Sequence, residues 1–299
     1  MSLASAVCLL KMFADLHLHT HFSDGTYTPE ELVAQGQRHG LAVLALTDHD
    51  TVEGCSPMAA ACELAGMEFI PGTELTAEEG GNELHLLGYF LDTENAKLLA
   101  EIAKFQAVRQ NRIREMVARL NAHKIPLRAD AVFELADCRS PGRPHVGRAL
   151  VQDGFCINQD EAFDRFLKKH RPAWVPKFKI SAQDAIELIH QAGGLAVLAH
   201  PGLNRNDDII PDLVAVGMDG LECYHSKHPP VAVQRYLQLA KTYNLVVTGG
   251  SDCHGHSKGN PVVGHVKLPY EHVEQLCARV AHRRKGESSP PHASSSHPT

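Results

Sequence analysis

The chain has 299 residues, 43% hydrophobic and 21% charged, which suits one barrel-sized domain, or a domain carrying an insertion, around a sizeable core. A formal net charge of −6 argues against a nucleic acid duplex or an anionic membrane as the partner of the protein as a whole. Eight cysteines form no C-x-x-C pair, and no apolar run reaches the roughly 20 residues that span a bilayer, so a reduced, cytoplasmic setting is expected.

The start, MSLASAVCLL, lacks basic residues ahead of its short apolar run and does not read as a signal peptide. Residues 1–11 are expected to be an extension before the first strand. Strand patterns follow at 13–18, 41–47, 67–75 and 84–90, then at 195–200, 220–225, 244–251 and 264–269. Helical patterns lie between several of them: Thr28 caps one with Pro29 at its first position, Ser181 caps another that Gly193 ends, and a third runs from Val231 to Asn244. Such alternation predicts an α/β fold with a largely parallel sheet, and this many repeats favour a barrel whose chemistry sits where strands end. The rhythm breaks over 96–176, where long and short helical patterns replace strands. This span is expected to be a helical insertion over the barrel mouth, with 12–95 and 177–285 forming the barrel. The Ser-, Pro- and His-rich end, 286–299, reads as a disordered tail.

The stretch FADLHLHTHFSDG places His17, His19 and His21 at alternate positions, followed by Asp24. Residues i and i+2 of a strand leave from one face, so His17 and His19 are set side by side. His49 in LTDHD, Glu74 in GTELT, His85 in LHLLGYF, His200 in LAHP, and Asp252 and His254 in GSDCHG all fall at or near predicted strand ends. Nitrogen and carboxylate donors without cysteine suit Mn first, then Fe or Zn. Nine donors exceed the needs of one ion, so two to three divalent ions are expected, with Glu74 and Asp252 as candidate bridges. The turn after His19 directs His21 to a supporting or solvent role. Cys253, between two donors of one face, should point away.

In order, these motifs resemble those of the PHP (polymerase and histidinol phosphatase) family. The resemblance implies a distorted (β/α)7 barrel, a trinuclear metal centre and phosphoester hydrolysis. It groups His17, His19, Glu74 and Asp252 on one ion, Glu74, His85 and His200 on a second, and Asp24, His49 and His254 on a third. The stretches SPGRPHVGRAL, WVPKFK and GLECYHSKH are most similar to the branch of 3′,5′-nucleoside bisphosphate phosphatases, which convert adenosine 3′,5′-bisphosphate to AMP. Some relatives trim short RNA from its 5′ end, and histidinol phosphatases are another alternative. Asp24, Asp252 and His225 are then the catalytic candidates, with Glu222 supporting His225. Arg143, His145 and Arg148, at a helix start, and Lys177 are candidates for holding a substrate phosphate. Asn82 is a further candidate within reach of the site. A small nucleotide or a short single-stranded RNA is the expected partner. Arg109, Arg112, Arg114 and Arg119 read either as an RNA-binding face or as a solvated one, and His228 reads as solvent exposed.

Overall fold

The computed structural model describes residues 12–177, 180–204 and 206–286. The expected extension at 1–11 and residues 287–299 of the expected tail lie outside the described residues. The strands are β1 (Phe13–Asp15), β2 (Leu41–Leu46), β3 (Glu68–Glu79), β4 (Asn82–Tyr89), β5 (Ile180–Ser181), β6 (Leu195–Leu198), β7 (Gly220–His225), β8 (Val246–Gly250) and β9 (Leu268–Pro269). Their order in the sheet is β8-β7-β6-β4-β3-β2-β1-β9, with β5 added on β3. Pairing is parallel from β1 to β3 and from β6 to β8.

Two strands depart from the parallel expectation: β9, which runs antiparallel to β1, and β4. β4 runs antiparallel to both β3 and β6. Gly80 and Gly81, with φ of 54° and 79°, turn the chain straight back from β3 into β4, so no crossover helix intervenes.

The ring closes between β1 and β8 through backbone beyond the regular strands. Leu16 N–H donates to the Gly249 carbonyl (3.1 Å), Asp252 N–H to that of His17 (2.9 Å) and His19 N–H to that of Cys253 (3.0 Å). Among the described residues the barrel therefore has seven strands, β1 to β4 and β6 to β8, and it is distorted where it closes. Gly250 permits the closure, because a Cβ there would stand 2.3 Å from both the Cβ and the amide nitrogen of His17.

Helices α1 (Pro29–Arg38) and α2 (Cys55–Ala65) cover one flank, packing Leu32, Val33, Met58 and Cys62 with Leu44 and Leu46. Thr28 and Glu31 form a reciprocal capping box at the start of α1. The insertion begins with α3 (Ala96–Ala122), about 40 Å long at 1.5 Å per residue. Its first half packs Leu98, Ile102 and Phe105 against the barrel side, with Ile186 and Ile189 of α7 (Ala182–Gln191). Its second half places Ile113, Met116, Val117 and Leu120 in a separate core with Val132, Val146, Leu150, Phe166 and Val175. That core is built by α4 (Ala129–Ala136), α5 (Arg143–Gln152), α6 (Gln159–Ala162) and the π turn Phe163–Leu167.

The short α8 (Pro201–Asn204) and α9 (Ile210–Ala215) follow β6, and α10 (Pro230–Thr242) follows β7. Finally α11 (Tyr270–Arg284) adds Val273, Leu276 and Val280 to the cluster of Val43, Leu87, Val197 and Val246. Five helices, α2, α4, α8, α9 and α11, come in addition to the expected ones. The seven cysteines among the described residues are free, and no described helix is long and apolar enough to cross a membrane.

Gly250→Ala is expected to destabilise the fold by about 3 kcal/mol or more, since the added methyl meets backbone that cannot yield. Thermal denaturation would show it, and an unchanged melting temperature would mean that the closure is looser than the packing of β8 on His17 implies.

Candidate metal centre

Glu74, 1% exposed, lies at the middle of a polar cluster at the strand ends. Its Oε2 is 3.3 Å from His17 Nε2, 3.2 Å from His19 Nε2 and 3.1 Å from His49 Nδ1. Its Oε1 is 2.6 Å from His85 Nδ1 and 3.1 Å from His200 Nε2. Asp252 Oδ1 lies 3.4 Å from His19 Nε2, and Asp24 Oδ1 lies 3.1 Å from His254 Nε2. All nine donors expected from the sequence thus meet in one cluster. Burial pushes the Glu74 carboxyl up, but the imidazoles of His49, His85 and His17 outweigh it and hold the group well below the usual carboxylate range.

These residues fit divalent ions. Donor atoms sharing an ion, each about 2.1 Å from it, stand roughly 3.0–3.4 Å apart, which matches the spacings from Glu74 to His17, His19, His49 and His200. Several close approaches are also not hydrogen bonds. Both ring nitrogens of His19 and Nδ1 of His49 are buried without a hydrogen-bond partner among the described residues, although Glu74 is within 3.2 Å of His19 and 3.1 Å of His49. Three groups can each hold an ion: His19, Asp24, His49 and His254; His17, His19 and Asp252; His49, Glu74 and His85. The grouping differs from the one that the resemblance implies, because His19 and His49 each lie in two groups, while His200 approaches the cluster through Glu74.

Tautomers are set from behind. His17 Nδ1 donates to Glu222 Oε1 (3.0 Å) and His254 Nδ1 to the Asp252 carbonyl (2.9 Å), so each turns Nε2 toward the cluster. His225 Nδ1 accepts from Lys227 N–H (3.2 Å), which leaves Nε2 to carry the proton. That Nε2 is buried without a hydrogen bond, 3.7 Å from Asp252 Oδ2. Glu222 therefore supports His17 rather than His225. A bulge between Glu222 and Tyr224 puts Glu222 and His225 on the same face despite their odd spacing. Backbone strain collects here as well, with φ of 48° at Asp50, 29° at His200 and 53° at Asp252.

The remaining expectations are met unevenly. Lys177, near the insertion's end, has Nζ 3.1 Å from Glu83 Oε1 and 3.3 Å from His85 Nε2. Arg143 lies over the Phe163 ring at 5.8 Å. His145 is fully buried; its Nδ1 accepts from Gly142 N–H (3.0 Å), its Nε2 has no partner among the described residues, and burial pulls it down to about 4. Arg148 is half-buried about one turn further along α5. Asn82 is not brought to the cluster, since its amide donates to Gly80 (3.2 Å) in the exposed turn. His21 turns to the Tyr27 carbonyl and packs on Phe22. Cys253 points into the flank beside Leu18 and Leu32. His228, expected in solvent, is buried instead, with Nδ1 on the Cys223 carbonyl (2.9 Å) and Nε2 accepting from Gly202 N–H (3.2 Å).

Sequence reasoning missed four supports. Asp48, buried beside His49, accepts from Thr20 N–H (2.8 Å), Thr20 Oγ1 (2.5 Å) and Ser23 Oγ (2.5 Å), fixing the turn that presents Asp24. Ser257 Oγ touches the carbonyls of Asp24 (3.0 Å) and His254 (3.1 Å). Ser140 Oγ donates to the His49 carbonyl (2.6 Å), and Arg109 pairs with Asp50 at 2.6 Å. Only Arg109 carried a hint, as a cation on a long helix.

Glu222→Gln should weaken divalent-ion binding about 10–100-fold, as loss of a ligand's orienting partner generally does, and titration of metal-free protein with Mn would read it. Burial lowers His19, but the Asp252 and Glu74 carboxylates, 3.4 Å and 3.2 Å from its Nε2, outweigh it and hold the metal-free imidazole up at about 9. Below that pH an ion must displace this proton, so affinity should fall by up to about tenfold per pH unit as the pH drops from 8 to 6. An affinity independent of pH in that window would exclude His19 as a protonated ligand.

A PHP domain model matches residues 15–169. A 5′-3′ exoribonuclease of Haemophilus influenzae is 35% identical over 246 residues, covering 80% of this chain and 89% of that protein. A 3′,5′-nucleoside bisphosphate phosphatase of Chromobacterium violaceum is 32% identical over 261 residues, 85% of this chain and 91% of that one. A solved structure from Bifidobacterium adolescentis, described as a candidate metal-dependent phosphoesterase, superposes with a TM-score of 0.84 at 34% identity, over 90% of this chain and 96% of that one. With its ligand cluster at the ends of a distorted barrel, the chain belongs to the PHP domain family of metal-dependent phosphoesterases.

Proposed function

We propose that the protein removes the 3′-phosphate of nucleoside 3′,5′-bisphosphates, turning adenosine 3′,5′-bisphosphate into AMP and phosphate. The observation that carries this reading is a surplus of cations beside the cluster, between insertion and barrel. Arg109, Arg112, Arg143 and Lys177 gather there, while Asp50 and Glu83 supply the ion pairs seen with Arg109 and Lys177. Burial lowers the Arg112 guanidinium to about 9, helped by Arg143 and Arg109. Burial likewise lowers Lys177, with Arg109 and Arg143 adding to the effect. Cations crowded out of water favour an incoming anion, and His145 Nε2 adds an uncommitted polar group. A substrate with a second phosphate uses this region; one with a single phosphate does not.

Divalent ions, Mn first and Fe or Zn as alternatives, would supply positive charge opposite the phosphoryl group and lower the pKa of water to about 7. Asp24 and Asp252 border the place of attack and take up the proton that the attacking water releases. His225 points Nε2–H toward the cluster and donates to a phosphoryl oxygen as charge builds there. Arg143, His145 and Lys177 hold the 5′-phosphate, with Arg148 reinforcing, and so set which bond faces attack. The bond broken joins phosphorus to the 3′-oxygen, which leaves as a hydroxyl with the proton that the carboxylate took from the attacking water.

A second reading has the same bond broken in short 5′-phosphorylated RNA, where the phosphate still carries the next nucleotide. The similarity to the Haemophilus influenzae exoribonuclease favours it. A histidinol-phosphatase-like activity has no use for the second anion region and ranks below both.

Removing one charge-assisted contact costs about 1.5 to 3 kcal/mol, roughly a tenfold to hundredfold loss. Arg143→Ala should therefore lower kcat/KM by that factor on adenosine 3′,5′-bisphosphate and hardly alter it on adenosine 3′-monophosphate. Steady-state kinetics on both substrates would decide. An equal loss on both would assign Arg143 to the reacting phosphate or to the fold.

A further inference from the structure

We propose that Ser140 is a positioning residue for one ion of the cluster, the ion that His19, Asp24, His49 and His254 can hold. The proposal rests on the metal-dependent reading above. Ser140 belongs to the link between α4 and α5 and is fully buried, with its hydroxyl on the His49 carbonyl at 2.6 Å. Two residues earlier, the Cys138 thiol donates to the Ser23 carbonyl (3.2 Å), next to Asp24. Two residues later, Gly142 comes so near that a Cβ there would lie 3.9 Å from Asp24 Oδ2. The insertion thus grips the backbone beside two of the four donors in this group.

Other donors are braced from within the barrel. Glu222 holds His17, and Asp252 N–H donates to the His17 carbonyl. Ser257 joins the Asp24 and His254 loops. His49 is the donor whose own carbonyl depends on the insertion. Loss of the Ser140 hydroxyl leaves that carbonyl buried without this donor; Asp48 and Asp50 stay bonded to Glu74 of β3, so what is freed to tilt away from the ion is the peptide that follows His49, next to the positive φ of Asp50. The same link leads through Pro141 and Gly142 into Arg143 and His145, so one short segment aligns both the ion and the phosphate-holding residues.

The test is Mn binding by metal-free protein, read by calorimetry and by elemental analysis after gel filtration, with no substrate present. Ser140→Ala is expected to bind the ion of His19, Asp24, His49 and His254 about tenfold more weakly and so to retain fewer ions than the wild type, with the ion of His17, His19 and Asp252, a group without His49, unchanged. Excess Mn should restore its kcat at an unchanged nucleotide KM. Arg139→Ala, which removes an exposed neighbour paired with Glu53, should leave the ion content intact. Equal ion content and affinity in Ser140→Ala and wild type would overturn the proposal, as would an equal ion loss in Arg139→Ala, which would mean general loosening of the segment. If Ser140→Ala does not fold, Cys138→Ala should weaken the same ion several-fold and Cys138→Ser should not; no effect of Cys138→Ala would be overturning. A wild type that binds no divalent ion would remove the metal-dependent reading itself.

Discussion

One buried carboxylate orders the site. Glu74 meets imidazoles that come from beyond the ends of β1, β2 and β6 and from within β4, and each of its oxygens is shared by at least two of them. A carboxylate that deep in a barrel is costly unless positive or polarisable partners surround it, and a ring of histidines is a costly arrangement without an anion at its centre. Each makes the other tolerable. The cluster is thus anchored as a unit, and strands that share no hydrogen bonds are tied through one side chain.

The meeting of the nine donors in one cluster was legible because strand periodicity carries direct geometric meaning. His17 and His19 share a face by alternation, and His49, His200 and Asp252 follow apolar runs, where a barrel presents its chemistry. What escaped the sequence depends on events that alternation does not encode. The bulge at Cys223 rotates Glu222 onto the face of His225, which a three-residue spacing would otherwise forbid. The reversal of β4 hangs on two glycines whose turn could equally have opened a longer connection. His228 sits beside Lys227 and two prolines, a surface-like context, yet Gly202 of the short α8 folds over it. Asp48 and Ser140 act on backbone or hydroxyl groups far along the chain, and such bonds leave no spacing signature. Asn82 looked promising because its turn precedes His85, but exposed turn amides find their nearest carbonyl first.

The insertion is more than a cover. Because α3 packs against the barrel with its first half and into the insertion's core with its second, the two bodies share a continuous helix where they meet. Arg109 and Arg112 lie between those halves, one paired with Asp50 and the other with Nε on the Val175 carbonyl (2.9 Å). A rigid element thus carries charge into the crevice, and the fold supplies guanidinium groups without asking a mobile loop to order them.

The closure of β1 against β8 sets an order of events in folding. Leu16 and Gly249 are 233 residues apart (249 − 16), and donors His17, His19, Asp252 and His254 are divided between those two ends of the chain. Contacts of such sequence separation form late, after the intervening helices and parallel pairs have paid their loop entropy. A nascent chain therefore offers passing ions only fragments of the cluster, with loose histidines that would prefer copper or zinc. Selection of the ion is deferred to a finished cavity, where donor type and spacing, rather than first encounter during synthesis, decide what is kept.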